Sequence, residues 1–93
     1  MSEPACAIAW TTPARRALGR LPEKIATAVV EFAYGSLAAS PRRAGKPLRL
    51  GLTGLHSARR GDYRVIYRID DDRRRVIVVA IEHRSDIYRP RQL

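Results

Sequence analysis

The spacing of apolar residues changes several times along this chain, and each change marks an element. In residues 5–11, Cys6, Ile8 and Trp10 alternate with alanines, the two-residue period of a short strand. Thr12-Pro13 then supplies a hydroxyl cap and a proline suited to a first helical turn. Ala14, Ala17, Leu18 and Leu21 follow at helical spacing, with Arg15, Arg16 and Arg20 off that stripe. Leu21-Pro22 interrupts the pattern. A second helix follows, with Ile25, Val29, Phe32 and Ala33 on one side, and Ser40-Pro41 ends it. Two helices joined this tightly form a hairpin whose apolar sides face the same sheet.

Residues 41–54, PRRAGKPLRLGLTG, hold two prolines and three glycines and read as a basic surface loop. The period then returns to two. Leu55 to Arg59 is a strand, Arg60-Gly61-Asp62 a turn, and Tyr63 to Ile69 a second strand. Along that strand Tyr63, Val65, Tyr67 and Ile69 share one face, and Arg64, Ile66 and Arg68 the other. Asp70-Asp71-Asp72 turns the chain. Val76 to Ile81 is apolar at every position, as in a central strand. Ser85 to Tyr88 suggests one helical turn, and Pro90 to Leu93 a loose tail. The order β-α-α-β-β-β predicts one α+β domain over 1–93, a small antiparallel-type sheet packed on a two-helix hairpin.

Length and composition narrow the class. A chain of 93 residues forms one modest core. Its longest apolar run is too short to span a bilayer, and its first residues do not have the pattern of a secretory signal. A lone cysteine, Cys6, excludes an internal disulfide and a cysteine-cluster metal site, and reads as a small buried hydrophobe. These features predict a cytoplasmic protein without a cofactor or metal. Charge adds a direction. Residues 1–41 carry four bases against three acids, whereas residues 42–93 carry 14 against 6. Of the 18 bases, 16 are arginine, whose planar fork suits phosphate and stacks on bases. Arginine-rich codon usage explains some of that bias but not its concentration in one half. The basic half predicts a polyanionic partner.

Cleaving RNA without a metal needs a base for the 2′-hydroxyl, a cation at the crowded phosphorus and an acid for the departing 5′-oxygen. His83 titrates near neutrality and suits acid or base. Arg64 and Arg84 suit the phosphorane, Tyr88 or Tyr63 a stacked base, and Lys46, Arg49, Arg59 and Arg60 flanking phosphates, with Arg42 and Arg43 in the same basic segment. If Arg64 pairs with an even-numbered residue of the last strand, Arg84 shares its face; if with an odd one, His83 does. Plainer roles stand beside these. Arg64 and Arg68 suit a solvated strand face paired with Asp70 or Glu82, and a lone histidine at a strand end is commonly structural. Tyr63 and Tyr67 suit the core, as do Trp10 and Phe32. Arg73-Arg74-Arg75 suits a turn neutralised by the aspartates before it.

Gly45-Lys46-Pro47-Leu48, then Leu52 and Gly54, then Ser57-x-Arg59-x-Gly61-x-Tyr63-Arg64-Val65-Ile66-Tyr67, and finally His83-Arg84-Ser85-Asp86-Ile87-Tyr88 together resemble the RelE branch of the RelE/ParE toxin superfamily. The resemblance spans nearly the whole chain and extends to the order of elements. It implies a toxin of a type II toxin–antitoxin system: a ribosome-dependent, metal-independent endoribonuclease that cuts mRNA in the A site by 2′-hydroxyl attack. It also implies a cognate antitoxin, RelB- or Phd-like, acidic and encoded in the same operon, with operator DNA bound only through the complex. Arg64 then matches the phosphate-stabilising strand arginine, Arg84 a basic residue before the C-terminal turn, and Tyr88 the base-stacking tyrosine; Lys46 and Arg49 match the loop that faces ribosomal RNA. The family pattern has lysines where this chain has Leu55 and Ser57, one of them a proposed proton acceptor, and an arginine where Glu82 stands. His83 is the replacement the resemblance suggests, since a histidine transfers protons in the related YoeB toxins. Two other functions fit the same residues: a ParE-like inhibitor of DNA gyrase without catalysis, and a non-catalytic RNA- or ribosome-binding module.

Overall fold

The computed structural model describes residues 5–48 and 54–83. Strand β1 (Ala7–Trp10) leads into helix α1 (Thr12–Arg20) and helix α2 (Glu23–Phe32). Helix α2 continues through a π-helical turn, Ala33–Leu37, as far as Ala39. A short helix α3 (Pro41–Ala44) and a two-residue strand β2 (Lys46–Pro47) follow, then β3 (Leu55–Arg60), β4 (Tyr63–Asp70) and β5 (Arg75–His83). The strands form one sheet in the order β1-β5-β4-β3-β2. The α+β class and the helix pair are as the spacing predicts. The predicted antiparallel sheet is in fact mixed, because β1 runs parallel to β5. The chain crosses over through the helices, and β3, β4 and β5 then follow by antiparallel reversals, so that β3 and β5 both run in the direction of β1.

The start of α1 lies one residue before the position predicted. Thr11, not Thr12, is the cap: its hydroxyl accepts from the Ala14 N–H at 3.2 Å and donates to the Val79 carbonyl at 3.1 Å. Val79 is the extra residue of a β-bulge, since Ile66 pairs with Ala80 and Tyr67 with Val78. One hydroxyl thus ends the strand-to-helix corner and satisfies the bulge.

The core lies between the helices and one face of the sheet. Ala14, Val29, Phe32, Ala33 and Leu37 pack on Ala58, Val65, Tyr67, Val76 and Val78, with Ile8, Trp10, Ile69 and Ile81 at the margin. Phe32 is therefore core as expected. Trp10 is half-buried and donates its indole N–H to the exposed Tyr34 hydroxyl at 3.0 Å. Cys6 is half-buried against the core.

The expected basic loop contains structure. Tyr67 is fully buried and its hydroxyl donates to the Pro41 carbonyl at 2.6 Å, which pins α3 to the sheet. A Cβ on Gly45 would collide with the Ser57 carbonyl and the Tyr67 hydroxyl, so the chain passes here only as glycine. Arg42 forms a two-pronged bond to Asp71 at 2.7 and 2.8 Å, linking α3 to the β4–β5 turn. Within that turn the Asp70 carboxylate accepts from the Arg73 N–H and from Arg75, both at 3.3–3.4 Å, so the aspartate run does neutralise part of the arginine run.

Candidate nucleic-acid interface

Counting outward from the tight Gly61-Asp62 turn fixes which side chains meet. Arg60 pairs with Tyr63, Arg59 with Arg64, Ser57 with Ile66 and Leu55 with Arg68. On the other side of β4, Arg64 pairs with Glu82 and Tyr63 with His83. Alternation then puts Lys46, Arg59, Arg64, Arg68 and Arg75 on the face turned away from the helices, with Asp70 and Glu82 as the acidic side chains among the described strand residues of that face. Five cations against two anions leave this face positive.

Arg64 sits at the middle of one row, Arg59–Arg64–Glu82. Its guanidinium lies 3.5 Å from the Glu82 carboxylate, both side chains about one-third exposed. Its Nε is buried without a hydrogen-bond partner. A buried donor left this way calls for an acceptor, and a phosphate oxygen is the acceptor a guanidinium fork matches best. Arg75 is placed similarly, with a buried unpartnered Nε and a terminal nitrogen 3.4 Å from Asp70.

The bulge at Val79 decides what faces Arg64. With regular pairing beyond Tyr67–Val78, Arg64 would meet Ile81 and Glu82 would turn towards the helices. The extra residue shifts the parity, sends Ile81 to the core and brings Glu82 round to Arg64. The even-numbered alternative is therefore the one realised, and His83 does not share the Arg64 face. His83 stands on the helix side, its ring edge-on to Tyr63 with centroids 4.8 Å apart.

The remaining bases divide. Lys46 and Arg59 join Arg64. Arg60 does not: its guanidinium lies over the Phe32 ring at 5.0 Å on the helix side. Arg43 lines a shallow pocket there with Arg60, Ser36 and Ser40. Arg42 is exposed and committed to Asp71, whose carboxyl it holds below the usual range by that hydrogen bond. Arg49, Arg84 and Tyr88, together with the turn at Ser85–Tyr88 and the tail at 90–93, lie outside the described residues.

Two side chains do not stand out in the sequence for a role of their own. Glu82 enters there as an ion-pair partner and as a departure from the family pattern, because an apolar run from Val76 to Ile81 hides a bulge. His56 stacks on Tyr67 with centroids 5.5 Å apart and has a buried, unpartnered Nδ1. Burial, then the charge of Arg42, push its pKa below the ordinary histidine value. The register outward from Gly61-Asp62 is the signal that sets His56 opposite Tyr67.

Comparison with known proteins decides the family. A model of the ParE toxin of type II toxin–antitoxin systems (parDE) matches residues 8–88. Toxin RelE of Mycobacterium tuberculosis is 60% identical over 82 residues, which is 88% of this chain and 84% of that toxin. The chain belongs to the RelE/ParE toxin family. Toxin RelG of the same organism is 55% identical over 82 residues, 88% of this chain and 94% of that toxin. Among solved structures, the M. tuberculosis RelBE2 toxin–antitoxin complex matches this toxin with a TM-score of 0.82 and 51% identity, over 86% of this chain and 99% of that one. The isolated Escherichia coli RelE toxin matches with a TM-score of 0.73 and 21% identity, over 90% of this chain and 92% of that one, a likeness of fold alone.

Proposed function

We propose that this toxin is a ribosome-dependent endoribonuclease that inhibits translation by cutting mRNA in the ribosomal A site. In this reading the 2′-hydroxyl attacks the adjacent phosphorus and leaves a cyclic phosphate, with no metal taking part. The observation that carries the proposal is Arg64: a half-buried guanidinium with an unpartnered Nε, on a sheet face lined by Lys46, Arg59 and Arg68. A preorganised cation at the position where charge develops is a large contributor to phosphoryl transfer. Lys46 and Arg59, with Arg49, hold flanking phosphates. Tyr88 stacks on a base, and Arg84 adds charge before it. Tyr63 and His83, edge-on to each other, shape the end of the sheet. Relatives solved as RelBE complexes support a cognate antitoxin, acidic and RelB-like, that covers the basic surface and carries the complex to operator DNA. Toxin, ribosome and antitoxin then meet in the cytoplasm.

Primer extension on a reporter mRNA after induced expression tests this. Discrete cuts within translated codons are expected from the parent. Arg64→Ala should lower cutting by about one to several orders of magnitude while keeping the fold, since removal of one transition-state donor costs about 10²–10³ in rate. Tyr88→Ala should weaken it. Equal toxicity of Arg64→Ala and parent overturns the role of Arg64. The family model's ParE description supports one competing reading, gyrase inhibition: growth arrest without mRNA cuts but with loss of supercoiling would favour it.

A further inference from the structure

We infer that Glu82 is the general base of the cleavage reaction, taking the proton from the attacking 2′-hydroxyl. The inference rests on the nuclease reading above. Its grounds are the register, the bulge and the distance. Glu82 is directly opposite Arg64, 3.5 Å from its guanidinium. When that guanidinium holds a non-bridging oxygen, the neighbouring 2′-hydroxyl lies within reach of a carboxylate on the same row. A β-bulge is a device for aiming a side chain, and this one turns Glu82 out of the core to the Arg64 face. His83 is on the other face, and the positions opposite Arg68 and Ile66 on β3, Leu55 and Ser57, offer neither a carboxylate nor an imidazole.

The step balances within the site. The O2′–H proton passes to the Glu82 carboxylate as the O2′–P bond forms. The P–O5′ bond breaks, and the 5′-oxygen leaves with a proton drawn from water. Glu82 then releases its proton to solvent. Among the described residues, the charged side chains near Glu82 on its face include Arg64 beside it and Arg59 one strand further. Helix α1, packed against the far side of β5, brings the arginines 15, 16 and 20.

Single-turnover cleavage of an A-site codon by purified toxin on programmed ribosomes, followed across pH, tests the assignment. Parent, Glu82→Gln, Glu82→Asp and Arg64→Ala are run together, with circular dichroism confirming that each is folded. Glu82→Gln keeps size and polarity but cannot take the proton, so its rate should fall at least about 100-fold. The acid limb of the parent's pH profile should disappear with it, and Glu82→Asp should restore part of both. A folded Glu82→Gln that cuts within a few-fold of the parent, or faster, overturns the inference while leaving the nuclease reading intact; Glu82 would then merely steady or shield Arg64. A parent that makes no cut on the ribosome overturns the nuclease reading and the inference with it.

Discussion

Tyr67 shows how a single residue joins the sheet to what lies beside it. Its place in the core follows from the alternation of Tyr63 to Ile69. Its hydroxyl bond to Pro41 leaves no mark in the sequence, because nothing in the chain says that α3 folds back onto β4. Removing that bond with Tyr67→Phe should lower stability by about 0.5–1.5 kcal/mol in urea denaturation near neutral pH. The phenol also makes stability depend on pH. Burial pushes its pKa up from 10.0 to about 12, so the folded state resists its ionisation. The contribution is complete below the unfolded value and is lost as pH rises through the window from 10.0 to about 12. Denaturation midpoints of parent and Tyr67→Phe should therefore converge on raising the pH through that window; a constant gap would refute this origin. Gly45→Ala forces a Cβ against the Ser57 carbonyl and the Tyr67 hydroxyl, backbone and buried ring that cannot give way. A loss of about 1–3 kcal/mol is expected in the same assay. Arg64→Lys should cut mRNA more slowly than the parent, because an ammonium lacks the planar fork. Charge alone is enough to mark Lys46 and Arg59 as candidate phosphate contacts. It does not separate Arg60 from them or point to Glu82, since both depend on register.

Among the elements, the β3–β4 hairpin is the most legible. Two alternating runs around Gly61-Asp62 define strands, turn and register at once, and Gly61 adopts a φ of 60°. Open space surrounds a Cβ at this position, so Gly61→Ala isolates the backbone strain. It should lower stability by about 1–2 kcal/mol without changing the sheet, as read by thermal unfolding and far-ultraviolet dichroism. Helix α3 and strand β2 are illegible for a physical reason. Their prolines and glycines break regular structure locally, and they are ordered instead by tertiary anchors: Tyr67 to Pro41, Arg42 to Asp71, and Lys46 opposite Ser57. β5 poses a different problem. Its stretch from Val76 to Ile81 is apolar at every position and has no face of its own, so neither the bulge nor the parallel pairing with β1 leaves a trace in the spacing.

For the molecule as a whole, the α+β class and the concentration of positive charge in the second half are both legible in the order of residues. The basic half of the chain supplies β2 to β5, and the sheet gathers much of that charge on the side away from the helices. Binding to the ribosome should weaken steeply with salt, and Arg59→Ala should flatten the log–log dependence by about 0.7 for one single-stranded phosphate contact. Filter binding across a salt series reads this directly; an unchanged slope would remove Arg59 from the interface. The pairing of β1 with β5 reaches further, into the history of each molecule. Synthesis runs from β1 to β5, so a chain that has emerged only to residue 74 has a first strand with no neighbour to accept it. The same late strand carries Glu82. A partly made chain therefore lacks both the closed sheet and the row at Arg64, so on the proposed nuclease reading a nascent toxin should not cut until β5 is in place.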